Sequence, residues 1–150
     1  YGFVSQLDSK EVREYANKAI KDLDIRCTRP QQLTRQLSGG NQQKVCVARA
    51  LALEPEVLFV SEPTRGIDVG AKKLVLDLLL KLNKELGMTI IMTSSELVEL
   101  RSICDRIAII FKGKVAGILK ASNSDREFGL MMAGEYQKFS SESEEARKNE

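Results

Sequence analysis

At 150 residues the chain is long enough for one domain with its own apolar core. It is 43% hydrophobic and 29% charged with a net charge of +2, a balance that argues against a dedicated nucleic-acid binder, which would be strongly basic. No apolar stretch has bilayer-crossing length and no signal peptide is visible: the most apolar helical patch, Leu76-Asp77-Leu78-Leu79-Leu80, is short and flanked by Lys72, Lys73 and Lys81. Cys27, Cys46 and Cys104 fall at no metal-ligand spacing, and there is no histidine. A reducing cytosolic compartment is expected, with each cysteine serving as a small core residue.

In chain order, Asp8-Ser9-Lys10-Glu11 predicts a capping box. Val12, Tyr15, Ala16, Ala19, Ile20 and Leu23 then mark one face of an amphipathic helix. Residues 24–36, with Pro30 and many polar groups, are a connector; the basic cluster Lys21, Arg26, Arg29 and Arg35 reads as a solvated face. Leu37-Ser38-Gly39-Gly40-Asn41-Gln42-Gln43-Lys44 reads as a glycine turn opening a helix that runs on to Leu53, with Val45, Ala48, Leu51 and Ala52 at helical spacing. Ser38 is expected to cap it by accepting a bond from a first-turn N–H. Gly39 and Gly40 are expected to supply positive φ and a close approach to a ligand. The free N–H groups and the positive dipole end make an anion site suited to phosphate.

Val57-Leu58-Phe59-Val60-Ser61-Glu62 is a continuous β-forming run ended by Pro63, predicting a strand over 57–61 buried on both faces, with Glu62 at its C-terminal end. Ligands of parallel α/β sheets gather at such strand ends. A helix over about 70–86 stops at Gly87, and Thr89–Thr93 forms a second buried strand, giving a parallel strand–helix–strand crossover. A short helix covers 95–103. Arg106–Phe111 and Val115–Leu119 make a hairpin over Lys112-Gly113-Lys114. Ser124-Asp125-Arg126-Glu127 caps a last helix ending near Gly134, and from Gln137 the polar composition predicts a disordered tail.

These pieces, in this order, resemble the ATP-binding cassette (ABC) ATPases over about residues 1–120. Leu37–Lys44 resembles the signature loop, Val57–Glu62 the Walker B strand with its glutamate, Arg65–Asp68 the D-loop, and Ser94-Ser95-Glu96 the switch segment. The resemblance implies an α/β fold: a partial P-loop NTPase core with parallel strands and flanking helices, plus the end of the α-helical subdomain. Residues 1–36 would be the end of that subdomain, 37–53 the signature loop and helix, 54–134 the C-terminal part of the core, and 135–150 the tail. No Gly-x-x-x-x-Gly-Lys-Ser/Thr phosphate loop occurs in the sequence, so it is expected upstream of Tyr1, and the isolated fragment is expected to be inactive.

Asn41-Gln42-Gln43-Lys44, Pro63–Ala71 and Ser94–Leu97 narrow the resemblance to the second cassette of importers for ribose, galactose, xylose and related sugars. Phe128–Gly134 is more similar to the nucleoside branch of that group. The resemblance implies ATP and Mg2+ as cofactors. It implies as partners a second cassette, transmembrane permease subunits and, indirectly, a periplasmic or lipoprotein substrate-binding protein, with no nucleic acid. It places the protein at the cytoplasmic face of the membrane. Ser38, Gly39, Gly40, Asn41 and Gln42 would bind ATP held by the facing cassette, Glu62 would be the general base, and Asp68 would couple the two sites.

Two positions depart from the family pattern. Ser61 stands where an aspartate usually holds the magnesium shell, leaving only a weak hold through water. Ser95 stands where a histidine is usual and cannot carry its charge. Slow turnover at this half-site is therefore one expectation. The alternatives are a non-transport ABC ATPase of DNA repair or translation, and a catalytically degenerate regulatory cassette. The first would carry a basic face or coiled-coil insertions; retention of Glu62 weighs against the second.

Overall fold

In the computed structural model, which describes residues 9–136, helices and strands alternate along most of the chain. Contacts divide it into two units at Ser94/Ser95. The first holds α1 (Ser9–Asp22), a 3-10 turn (Thr34–Gln36), α2 (Gly39–Leu51), β1 (Val57–Ser61), α3 (Val69–Leu86) and β2 (Thr89–Thr93). Strands β1 and β2 pair in parallel, Val57 opposite Thr89 and Ser61 opposite Thr93, so the 18-residue α3 is the crossover that parallel pairing demands. Its buried side chains Val75, Leu78, Leu79 and Leu82 recur at three- and four-residue spacing, which is one helical stripe. Gly87, at φ 65°, ends the helix in the left-handed conformation at no Cβ cost. The Asp8 half of the expected N-terminal capping box, and the expected tail from Gln137, lie outside the described residues.

The expectation that both strands are buried on both faces is not met. Leu58 is buried, but Phe59 is 74% exposed, and Val57 and Ile91 are exposed as well. Burying both faces needs a layer on each, and α3 can cover only one. The cysteines also depart from expectation: Cys27 and Cys104 are half-buried and Cys46 is exposed, all three as free thiols. The burial stripe of α2 is centred on Gly40, Lys44, Val47 and Ala48, so Val45 is half-buried and Ala52 exposed.

The second unit holds α4 (Leu97–Ile103), the antiparallel hairpin of β3 (Arg106–Phe111) and β4 (Lys114–Lys120), and α5 (Asp125–Ala133). Lys112 and Gly113 both take positive φ, the two-residue turn whose twist matches that of hairpin strands. Ile107, Ile109 and Leu119 from one hairpin face pack with Phe128, which is fully buried, and Met131 of α5. Arg101 joins α4 to the β4–α5 connection: it donates to the carbonyls of Ala121 and Asn123, pairs with Asp125, and lies 5.3 Å from the centroid of the Phe128 ring.

Helix α5 opens with the expected capping box. Ser124 Oγ accepts from the Glu127 N–H, and the Glu127 carboxylate accepts from the Ser124 N–H at 2.8 Å. The Ser124 N–H, then its hydroxyl, then the Asn123 amide hold the Glu127 carboxyl below its ordinary value. A folded-state pKa below the unfolded one means that this contribution is complete above the unfolded value and is lost as pH falls through the depressed folded value. Glu127→Gln should therefore lower stability at neutral pH and flatten the loss of stability on acidification through the carboxylate range. Thermal melts of both proteins across that range, followed by circular dichroism, would check this; parallel profiles would remove the capping box as a source of acid sensitivity.

Candidate functional site

The site is built around the N-terminus of α2. Ser38 holds the N-cap position in extended backbone (φ −62°, ψ 155°). Its hydroxyl does not cap the helix, contrary to expectation; it accepts from Asn41 Nδ2 at 2.9 Å. Gln42 Nε2 donates to the Leu37 carbonyl at 2.8 Å, closing the loop from the other side. The Asn41 and Gln42 side chains thus shape the loop itself. The first-turn N–H groups of this 13-residue helix therefore find no acceptor in the Ser38 side chain.

The glycines act by absence of bulk, and neither has the expected positive φ. A Cβ on Gly39 would fall 2.6 Å from Ile67 Cγ2, and one on Gly40 would fall 2.9 Å from Ala71 Cβ. The first joins the start of α2 to the loop entering α3, and the second joins it to the first turn of α3 itself. In that loop Asp68 caps α3, its Oδ1 accepting from the Ala71 N–H at 2.9 Å. Two helix N-termini are thereby brought together around a cleft of about 290 Å3 lined by Ser38, Asn41, Asp68, Arg26 and Lys44 among others.

Lys44 is the residue the sequence did not reveal. Only 6% exposed, it sends Nζ to the Asp24 carbonyl at 2.7 Å and lies 3.6 Å from the Asp24 carboxylate. Asp24 itself sits at φ +47°. Two residues on, the Arg26 N–H donates to Asn41 Oδ1 at 2.9 Å, and Tyr15 of α1 donates its hydroxyl to the Ala48 carbonyl. The connector and α1 are therefore tied to α2 at three points.

Ser61 and Glu62 stand at the end of β1. Thr93 Oγ1 donates to Ser61 Oγ at 3.1 Å across the strand pair. The Glu62 N–H continues the ladder to the Thr93 carbonyl, and the Arg65 N–H then bonds the Glu62 carbonyl in a turn. Glu62 takes φ +46°, an uncommon left-handed conformation for a residue other than glycine, of the kind that costs about 1–3 kcal/mol and gathers at functional sites. Thr64, 1% exposed, anchors the turn behind it. Ser95 belongs to the second unit. Among the described residues no group of three or more Cys, Asp or Glu could hold a metal ion. Nor, among them, is any helix long and apolar enough to cross a membrane.

The α/β core, with its parallel pair and flanking helices, has the architecture of a P-loop NTPase of the ABC-ATPase kind. Residues 4–65 match the ABC transporter family. Over 136 residues (91% of this chain), the sequence is 41% identical to the galactose/methyl galactoside import ATP-binding protein MglA of Treponema pallidum. It is 45% identical over 127 residues (85% of the chain) to the ribose import ATP-binding protein RbsA of Clostridium perfringens. The chain spans only about a quarter of these curated relatives, 27% and 25% of their lengths. A solved dimeric ATP-binding cassette in a post-hydrolysis state, bound to ADP and phosphate, superposes with TM-score 0.66 at 29% identity, covering 81% of this chain and 52% of that one. An inward-facing metal-chelate type ABC transporter shares the fold, with TM-score 0.76 at 22% identity over 88% of this chain and 53% of that one. The chain is thus similar to ABC-transporter ATP-binding cassettes, among them the ATPases of ribose and galactose importers.

The two glycine contacts set opposing magnitudes against each other. Alanine is favoured over glycine inside a helix by about 1 kcal/mol. Overpacking a close-fitting contact costs about 1–3 kcal/mol. At Gly40 the neighbour is Ala71, whose Cα lies 3.6 Å from the added atom and cannot swing away as a long side chain could. Gly40→Ala should therefore lower the denaturation midpoint. A raised midpoint would show that propensity wins and that the α2–α3 contact is loose.

Proposed function

We propose that this chain is a C-terminal part of the ATPase subunit of an ABC importer for small sugars or nucleosides, drawn from the second cassette of a tandem protein. The observation that carries the reading is the start of α2, where Gly39 and Gly40 pack closely on Ile67 and Ala71 beside a cleft lined by Ser38, Asn41 and Asp68. It supports a signature loop that closes on ATP held by a facing cassette. In that role Ser38 and the first-turn N–H groups of α2 donate to γ-phosphate oxygens as charge develops there. Asp68 sits in the same cleft, where it can register closure while capping α3. Closure of two such sites would drive permease subunits between inward- and outward-facing states at the cytoplasmic face of the membrane.

Glu62 takes the part of general base: its carboxylate accepts a proton from water as the water oxygen bonds the γ-phosphorus and the bond to the β-phosphate oxygen breaks, leaving ADP and phosphate. Magnesium supplies charge neutralisation of the triphosphate when bound. Ser61 and Glu62 are hard oxygen donors suited to bonding water in its shell, and the inner ligands would come from the nucleotide and from outside the described residues. Ser61 and Ser95 favour a slow half-site, whose signature loop still serves its partner.

In the full-length protein with the other cassette silenced, Glu62→Gln should lower steady-state ATP turnover by about a hundredfold or more while leaving ATP binding intact. Ser61→Asp together with Ser95→His should raise it. Phosphate release and equilibrium nucleotide binding measure both. Unchanged turnover in the Glu62 variant would overturn the assignment of the base.

A further inference from the structure

The hydrogen bonds around Asn41 run in one direction, and the direction is fixed by the backbone. The Arg26 N–H can only donate, so the Asn41 side-chain atom 2.9 Å from it must be the oxygen. The other amide atom is then the nitrogen, and it faces Ser38 Oγ at 2.9 Å. An amide nitrogen can only donate, so the Ser38 oxygen is an acceptor in that bond, and its own hydrogen must be given elsewhere. Ser38 lines the cleft between the two helix N-termini. Upstream, the buried Lys44 ammonium grips the Asp24 carbonyl and holds the turn that presents the Arg26 N–H.

We infer that Asn41 is a positioning residue that occupies one lone pair of Ser38 Oγ and turns the hydroxyl hydrogen away from itself, toward an acceptor in the cleft. The inference rests on the signature-loop reading and sharpens it. The Ser38 hydrogen, not being used by Asn41, is available to an acceptor in the cleft, as an anionic phosphoryl oxygen is. Each donor in a chain of such bonds polarises the next, so the Asn41 bond also strengthens the donor Ser38 presents. Lys44 contributes at one remove, through the turn.

A double-mutant cycle on the full-length protein tests this, with ATP turnover as kcat and KM and melting temperature recorded for each variant. Ser38→Ala should lower kcat by about tenfold to a hundredfold, as expected for loss of one donor to developing charge. Asn41→Ala should lower it by roughly threefold to thirtyfold when Ser38 is present, and by less than about twofold in the Ser38→Ala background. Should Asn41→Ala disturb folding, Asn41→Asp serves in its place. It is isosteric and still accepts from Arg26, but it draws the Ser38 hydrogen toward itself; its effect should exceed that of alanine when Ser38 is present and shrink to a residual charge effect when Ser38 is absent. Equal effects in both backgrounds would overturn the relay and leave the signature-loop reading standing. No effect of Ser38→Ala on turnover would overturn that reading and the relay together.

Discussion

The close approach between the start of α2 and the loop entering α3 is the constraint on which the rest of the first unit depends. Gly39 and Gly40 leave room only for the side chains of Ile67 and Ala71, and a Cβ added at either glycine would crowd them. That approach sets two helix dipoles beside one cleft and places Ser38, Asn41 and Asp68 on its wall. It also connects the α2 loop to the strand end, because the segment from Glu62 through Asp68 to α3 is one continuous turn leaving β1. A movement of α2 relative to that segment would therefore reach both the cleft and the end of the strand. The Lys44, Asn41 and Tyr15 bonds oppose such movement from the other side by holding α2 to the connector and to α1.

Local chemistry made much of this fold legible. The β-forming run 57–61, the helix stopped by Gly87, the second strand 89–93 and the Ser124–Glu127 capping box all stand where periodicity and capping rules put them, because each is decided by neighbours within a few residues. What was not legible depends on partners distant in sequence. Lys44 looks like a solvent residue in a helix, and becomes buried only because a carbonyl 20 positions earlier accepts its ammonium. Gly39 and Gly40 announced special backbone in the sequence, whereas their reason is the identity of residues 67 and 71. The strands read as buried on both sides since apolar runs record the cover a strand can use, not the cover present around it.

The candidate site divides the same way. Residue types and order pointed to Ser38–Gln42, Ser61, Glu62 and Asp68, and the structure gathers Ser38, Gly40, Asn41 and Asp68 around one cleft. The division of labour inside that set needed coordinates. Asn41 and Gln42 bond the loop, Asp68 bonds the helix cap, and Ser38 is left with a hydrogen to give. The left-handed backbone of Glu62 had no sequence cue beyond the following proline, which disfavours the right-handed helical region at the preceding residue without selecting the left-handed one.

The strand end and the α2 loop differ in how completely their polar groups are organised, and that difference bears on how the proposed half-site works. At the loop, the Asn41 side chain bonds Ser38 and the Arg26 backbone while Gln42 bonds the Leu37 carbonyl, so the loop is organised by directed bonds of its own, a condition that favours electrostatic stabilisation. At the strand end, Ser61 and Thr93 form a neutral hydroxyl pair. A carboxylate in place of Ser61 could accept the same Thr93 hydrogen, so the geometry of the pair suits either residue and what serine removes is charge. Under the proposed reading the chain thus keeps the shape of a hydrolytic site while lacking part of its field. Its loop, by contrast, keeps the Ser38 hydrogen available for a nucleotide bound elsewhere. A segment built in this way supports the chemistry of a facing site more strongly than its own.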